Sequence, residues 1–140
     1  MEKYIALIAH DGKKKDLIEW VEWNATSISQ HHVICTGTTG LLVADALRKK
    51  GIVDPKVKRV ASGPYGGDQQ IGHFIVNGDI VAMFFFWDPM EPHPHDVDVK
   101  ALLRVANIYN IPTACNKATA DLIVSSPMFM ADYLPKEEEE

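Results

Sequence analysis

Cysteine is scarce in this chain: its 140 residues hold two, Cys35 and Cys115, with no CxxC spacing. A disulfide scaffold needs more, so both read as buried, reduced thiols. Long hydrophobic runs are also missing. The longest, Ile80–Trp87, spans eight residues between Asp79 and Asp88, whereas a membrane span needs about 20. The N-terminal run Tyr4–Ala9 is shorter than a signal-peptide core of roughly 7–15 residues and meets His10 and Asp11 at once, so the expectation is a cytoplasmic protein with no membrane partner. Basic excess is absent. Fourteen Lys and Arg face nineteen Asp and Glu, a net charge of −5, and no Lys/Arg stripe points to nucleic acid. Four of those acids form the run Glu137–Glu140, which reads as a solvated end. No repeat or linker divides the chain. With 46% hydrophobic and 24% charged residues, it is expected to fold as one domain over 1–127 with a variable acidic C-terminal tail over 128–140.

What is present is alternation. Apolar runs at Tyr4–Ala9, His32–Thr36, Lys56–Ala61, Ile80–Trp87 and Ile111–Cys115 predict five strands. Between them lie segments with helical spacing. Lys13–Asn24 carries Leu17, Ile18 and Val21 on one face, and a helix capped by Thr38 or Thr39 runs to Lys49, stopped by Gly51. A third helix runs from Asp68 to about Val76. A fourth begins at Asp98 with Val99, Leu102, Leu103 and Ala106, and a last covers Thr119–Ser125. Strand–helix alternation of this kind predicts an α/β fold: a single-domain, doubly wound sandwich with about five parallel strands flanked by helices.

Chemistry-bearing residues follow every strand. His10-Asp11-Gly12-Lys13-Lys14 follows the first, Thr36-Gly37-Thr38-Thr39-Gly40 the second, Ser62-Gly63-Pro64-Tyr65-Gly66-Gly67-Asp68 the third. Asp88-Pro89 and then His93-Pro94-His95-Asp96-Val97-Asp98 follow the fourth, and Asn116-Lys117 the fifth. In a parallel sheet these loops share one end, where ligands bind. The Thr36–Gly40 loop runs into a helix, where backbone N–H groups and hydroxyls suit a phosphate; a simple capped turn accounts for the same residues. It is not an ATP-type P-loop. Asp68 reads either as a helix cap or as a general base held over a pocket that the glycines keep open. His93 and His95, with His10, suggest a metal-dependent aldolase or hydrolase, but the donor set is incomplete. A single histidine acting as acid or base needs no metal, and a Pro-stiffened loop with Asp96 or Asp98 as cap is the structural alternative. Arg48, Arg59 and Arg104 are ambiguous from sequence. The residues themselves describe a pocket for a small anionic ligand with carboxylates and a histidine for proton transfer.

Taken as a set, Ala9-His10-Asp11, Thr36–Gly40, Ser62-Gly63-Pro64, Gly66-Gly67-Asp68-Gln69-Gln70, Trp87-Asp88-Pro89 and Pro94-His95-Asp96-x-Asp98-Val99-Lys100-Ala101-Leu102-Leu103-Arg104 resemble the methylglyoxal synthase family, from about residue 4 to about 127. The resemblance implies a lyase that converts dihydroxyacetone phosphate to methylglyoxal and inorganic phosphate with no metal or organic cofactor, as a homohexamer. It implies that Asp68 is the catalytic base, that His95 hydrogen-bonds and protonates oxygen at the reacting carbons, and that Asp98 supports them as a catalytic residue. His10, Lys14, Thr36, Gly37, Thr38, Thr39, Ser62 and Gly63 would hold substrate, and Asp11 and Asp88 would surround and tune the acid–base pair. An ordinary aspartate, pKa about 3.9, is a weak base for such a step, and crowding and dryness would strengthen it. The chain departs from the family pattern after residue 127, where no arginine matches the one that reaches the phosphate of an adjacent site. A non-catalytic module of the same fold that binds phosphorylated ligands is the alternative. It would need the Thr36–Thr39 loop but not Asp68, His95 and Asp98 together.

Overall fold

The computed structural model describes residues 3–91 and 96–130. Five strands, β1 Tyr4–Ala9, β2 His32–Thr36, β3 Val57–Val60, β4 Ile80–Phe86 and β5 Thr113–Ala114, form one sheet in the order β3-β2-β1-β4-β5. All four pairings are parallel. The chain first winds from β1 outward to β3, then returns to the other side of β1 for β4 and β5. This doubly wound order leaves a crevice above the carboxyl ends of the central strands.

Period-two alternation along the strands sorts side chains onto two faces. Ile5, Leu7 and Ala9 of β1, with Phe84 and Phe86 of β4, face a core that includes Leu17, Trp20 and Val21 of α1 (Lys14–Trp23) and Val43 and Leu47 of α3 (Thr39–Lys49). Ala6 and Ile8, with Met83 and Phe85, face the opposite core under α4 (Gly67–Val76) and α5 (Asp96–Ile108), where Ile71, Ile75, Val99 and Leu102 are buried. Each such Leu or Ile removed from water contributes roughly 1.5–3 kcal/mol. Strands buried on both faces explain why β1 and β4 appear as continuous apolar runs.

The elements depart from the sequence expectations mainly at their ends. The third strand shortens to Val57–Val60 and the fifth to Thr113–Ala114; Pro112, which has no N–H to donate, limits the fifth at its start. The helix expected at Asp98 starts at Asp96, and the last expected helix is α6, Lys117–Val124, capped by the Asn116 side chain on the Thr119 N–H at 2.9 Å. Two short α-helices, α2 (Ala25–Ile28) and α7 (Pro127–Met130), and two 3-10 turns, Asp11–Lys13 and Gly63–Tyr65, add to those expected. Packing continues past residue 127, since Phe129 is buried against Phe84 and lies tilted against His31 with ring centroids 4.3 Å apart. Trp20, with its ring centroid 4.9 Å from that of Phe84, donates its indole N–H to Asp121 at 3.1 Å and so ties α1 to α6. No helix among the described residues is long and apolar enough to cross a membrane.

Candidate active site

The crevice is a cavity of about 460 Å³ at the carboxyl ends of β1, β2 and β3. That is a usual size for a small-molecule site. It brings together His10, Asp11 and Lys14 from the first loop, Thr36 to Thr39 from the second, and Ser62, Gly63 and Asp68 from the third.

His10 leaves β1 at its end and is only 7% exposed. Its backbone N–H donates to the Phe86 carbonyl at 3.2 Å, which holds the strand exit against β4. Its Nδ1 accepts the backbone N–H of Asp88 at 3.0 Å, and its ring lies edge-on to Phe85 with centroids 5.2 Å apart. An Nδ1 that accepts a hydrogen bond carries no proton, so the neutral ring carries its proton on Nε2. Asp88, also buried, does not line the cavity. Its Oδ1 accepts the Met90 N–H at 3.0 Å, closing a turn that points the Asp88 N–H at His10. Gly12 makes room for this arrangement, since a Cβ there would stand 2.6 Å from Asp88 Oδ2 and 3.1 Å from Glu91 Oε1.

The second loop is built for an anion. Gly37 has φ +51°, and a Cβ would meet Ser62 Cβ at 2.8 Å, so the second and third loops touch where only glycine fits. Thr36 and Thr39 are buried and Thr38 is exposed. Thr38 sits at the N-cap of α3, yet its side chain makes no capping bond. Instead its Oγ1 is 3.1 Å from Lys14 Nζ, and Lys14 also pairs with Asp11 at 2.8 Å. The first-turn N–H groups of the eleven-residue α3 therefore have no side-chain cap at the cavity. Asp11 is 91% exposed, so its pairing with Lys14 competes weakly with any incoming anion.

Asp68 stands in the first turn of α4, not at its cap. The N-cap is Gly66, at φ +96°. Asp68 is 4% exposed and lines the cavity. Its position depends on Gly67, whose missing Cβ would lie 1.9 Å from the Ala61 carbonyl oxygen. The Gly67 N–H donates to the Ser62 carbonyl at 2.9 Å, and Gln70 Oε1 accepts the Ala61 N–H at 2.7 Å, so the Ser62–Gly67 loop is stitched to the start of α4. These bonds assign a structural role to the glycines and glutamine flanking Asp68.

His93 and His95 lie outside the described residues. Asp98 is half-buried on α5 and does not line the cavity. Among the described residues no three His, Cys, Asp or Glu side chains converge to hold a metal ion. Two charged residues to which the sequence assigns no site role, Arg59 and Glu91, also line the cavity. Glu91 follows Asp88-Pro89 by two residues, a proximity that offered a signal. The two cysteines are not part of the site. Cys35 is fully buried and burial pushes its thiol far up, while half-buried Cys115 is shifted the same way.

Known proteins resemble this chain over most of its length. The family model for the MGS-like domain matches residues 16–115. A methylglyoxal synthase of Hahella chejuensis is 54% identical over 132 residues, covering 94% of this chain and 82% of that protein. One from Maridesulfovibrio salexigens is 49% identical, covering 96% of this chain and 90% of that protein. The crystal structure of methylglyoxal synthase from Elizabethkingia anophelis superposes with a TM-score of 0.81 at 50% identity, covering 92% of this chain and 81% of that one.

Proposed function

The chain belongs to the methylglyoxal synthase family, and from that premise we propose how its cavity eliminates phosphate from dihydroxyacetone phosphate. The observation that carries the reading is one cavity uniting a buried carboxylate, Asp68, an imidazole with Nδ1 already engaged, His10, and a loop with Lys14 beside an uncapped helix start.

The substrate phosphate lies on the Thr36–Thr39 loop, against Lys14 and the first turn of α3. Asp68 takes a proton from the hydroxymethyl carbon beside the carbonyl. The electrons of that C–H bond form the C=C bond of an ene-diolate, and the carbonyl oxygen gains negative charge. His10 Nε2–H donates to that oxygen, with no reorganisation of the ring required, because the Asp88 N–H already fixes the tautomer. The hydroxyl on the deprotonated carbon then becomes the aldehyde C=O as its proton passes to the departing phosphate, the C=C pair shifts to the phosphate-bearing carbon, and the C–O bond to phosphate breaks with its electron pair leaving on the phosphate. The enol left behind takes a proton at its terminal carbon and becomes methylglyoxal. Elimination, not isomerisation, follows when the loop holds the C–O(phosphate) bond out of the ene-diolate plane. His95 completes the proposal as the group that protonates oxygen, with Asp98 supporting it. No step requires a metal or organic cofactor.

The cytoplasm and a homohexamer belong to the same proposal. An isolated subunit leaves Trp23, Leu41, Leu42 and Val53 in water, which supports assembly; light scattering that finds a monomer at working concentration would overturn it. The activity is tested with dihydroxyacetone phosphate after chelator treatment, trapping methylglyoxal as a hydrazone and counting phosphate. Equal yields of the two products are expected. Glyceraldehyde 3-phosphate in their place would mean an isomerase, and loss of turnover with the removed metal would sink the metal-free route.

A further inference from the structure

We propose that Arg59 is a phosphate-binding residue of this site, a second cation acting alongside Lys14; the inference deepens the function proposed above and rests on it.

Arg59 lies on the edge strand β3, in register with Cys35 of β2. Its backbone position is exposed, yet its side chain lines the cavity. Two contacts explain the direction it takes. Its Nε donates to the Gly37 carbonyl at 3.1 Å. Its stem lies over Gly40, where a Cβ would come 2.4 Å from Arg59 Cγ and 3.2 Å from Cδ. Gly40 is the second residue of α3, so the helix gives up a side chain at the point where the arginine crosses it.

The charge around it is unusual for this surface. Lys13, Lys14, Arg48 and Lys56 each pair with an aspartate within two to three residues. Arg59 has no ion pair among the described residues, and Gly37 is the only hydrogen-bond partner it has among them. Its four terminal N–H donors are thus available while its Nε is anchored. A planar guanidinium held by one bond presents its remaining donors as a fork, the geometry that matches two oxygens of a phosphate.

Lys14 and Arg59 grip adjacent residues of one loop, Lys14 through the Thr38 hydroxyl and Arg59 through the Gly37 carbonyl. A phosphate monoester at neutral pH carries a charge of about −1.5 to −2. Two cations match that charge, and they also meet the negative charge that gathers on the leaving oxygen as the C–O bond breaks.

The test measures inorganic phosphate binding by calorimetry at fixed ionic strength for wild type, Arg59→Met and Arg59→Lys, then KM and kcat with dihydroxyacetone phosphate, and Tm for each protein. Arg59→Met is expected to weaken phosphate binding by about ten- to fiftyfold and to raise KM by a similar factor, with kcat changing less and Tm holding. Arg59→Lys keeps the charge but not the fork or the Nε anchor, and is expected to bind phosphate between wild type and Arg59→Met. Unchanged phosphate affinity in Arg59→Met overturns the assignment. So does an affinity loss in Arg59→Met that comes with a fall in Tm, because that marks a loop brace and not a ligand. A wild type that binds phosphate through Arg59 but makes no methylglyoxal would overturn the proposed activity and leave the arginine's role standing.

Discussion

Replacing Gly67 with alanine tests whether the backbone next to Asp68 sets the catalytic geometry. A Cβ at Gly67 would sit 1.9 Å from the Ala61 carbonyl oxygen and 2.9 Å from the carbonyl carbons of Ala61 and Ser62. All three are backbone atoms, so no side chain can swing aside. Relief requires the Ala61–Ser62 segment and the start of α4 to part by about 1 Å, loosening the Gly67–Ser62 and Ala61–Gln70 hydrogen bonds. Overpacking of this kind costs about 1–3 kcal/mol, less the roughly 0.5–1 kcal/mol that alanine returns within a helix. A fall in Tm of about 5 °C is the central expectation. The same displacement moves the Asp68 carboxylate, and misplacing a reacting group by about 1 Å costs on the order of 10²-fold in rate. Gly72 provides the control. It lies in the same helix, and a Cβ there meets nothing within 4 Å, so Gly72→Ala should keep full kcat and gain slight stability. The assay is methylglyoxal formation under saturating substrate, paired with thermal melts of both variants. A Gly67→Ala protein that melts and turns over like Gly72→Ala would refute the reasoning.

Two further outcomes follow from the geometry. His10→Asn keeps an acceptor near the Nδ1 position for the Asp88 N–H but loses the Nε2 donor, so it should fold normally and lose about 10²–10³-fold in kcat; steady-state kinetics with a melting control decide it, and an unchanged kcat would remove His10 from the oxyanion role. Alkaline stability should track Cys35: below about pH 8.5 its thiol is neutral in both states, whereas above that the unfolded chain gives up the proton and the folded chain keeps it. The unfolded state then binds fewer protons, so stability falls by up to about 1.4 kcal/mol per pH unit. Urea unfolding at pH 8, 9 and 10 should show a steeper decline for wild type than for Cys35→Ala, and parallel declines would contradict it.

The sheet was legible because β1 and β4 are buried on both faces and so appear as unbroken apolar runs. Edge strands carry a weaker signal: β3 holds the charged residues Lys58 and Arg59, Pro112 shortens β5, and both strands are shorter than the runs that announce them. The four-residue α2 follows Asn24, which reads as a helix end, and its alanine, threonine and serine carry no helical period. The clustering of site residues was legible for a topological reason, since in a parallel sheet every loop after a strand opens at the same end. What sequence could not give was contact across distant segments. Arg59 turns into the cavity because Gly40, nineteen residues away, lacks a Cβ. Asp88 acts on His10 through its backbone N–H, an action that no side-chain identity announces. Asp68 looked like a cap because caps and first-turn acids occupy neighbouring positions; the glycine at φ +96° takes the cap and leaves the aspartate facing the cavity.

The central claim is that Asp68 removes the proton, and Asp68→Asn tests it most directly, because the amide keeps the shape and loses the base. Inorganic phosphate binding and turnover of dihydroxyacetone phosphate are measured side by side on wild type and variant. The account predicts phosphate affinity within about twofold of wild type and methylglyoxal formation reduced by about 10²–10⁴-fold. Turnover that survives in Asp68→Asn at a comparable rate would place the base elsewhere and contradict the account.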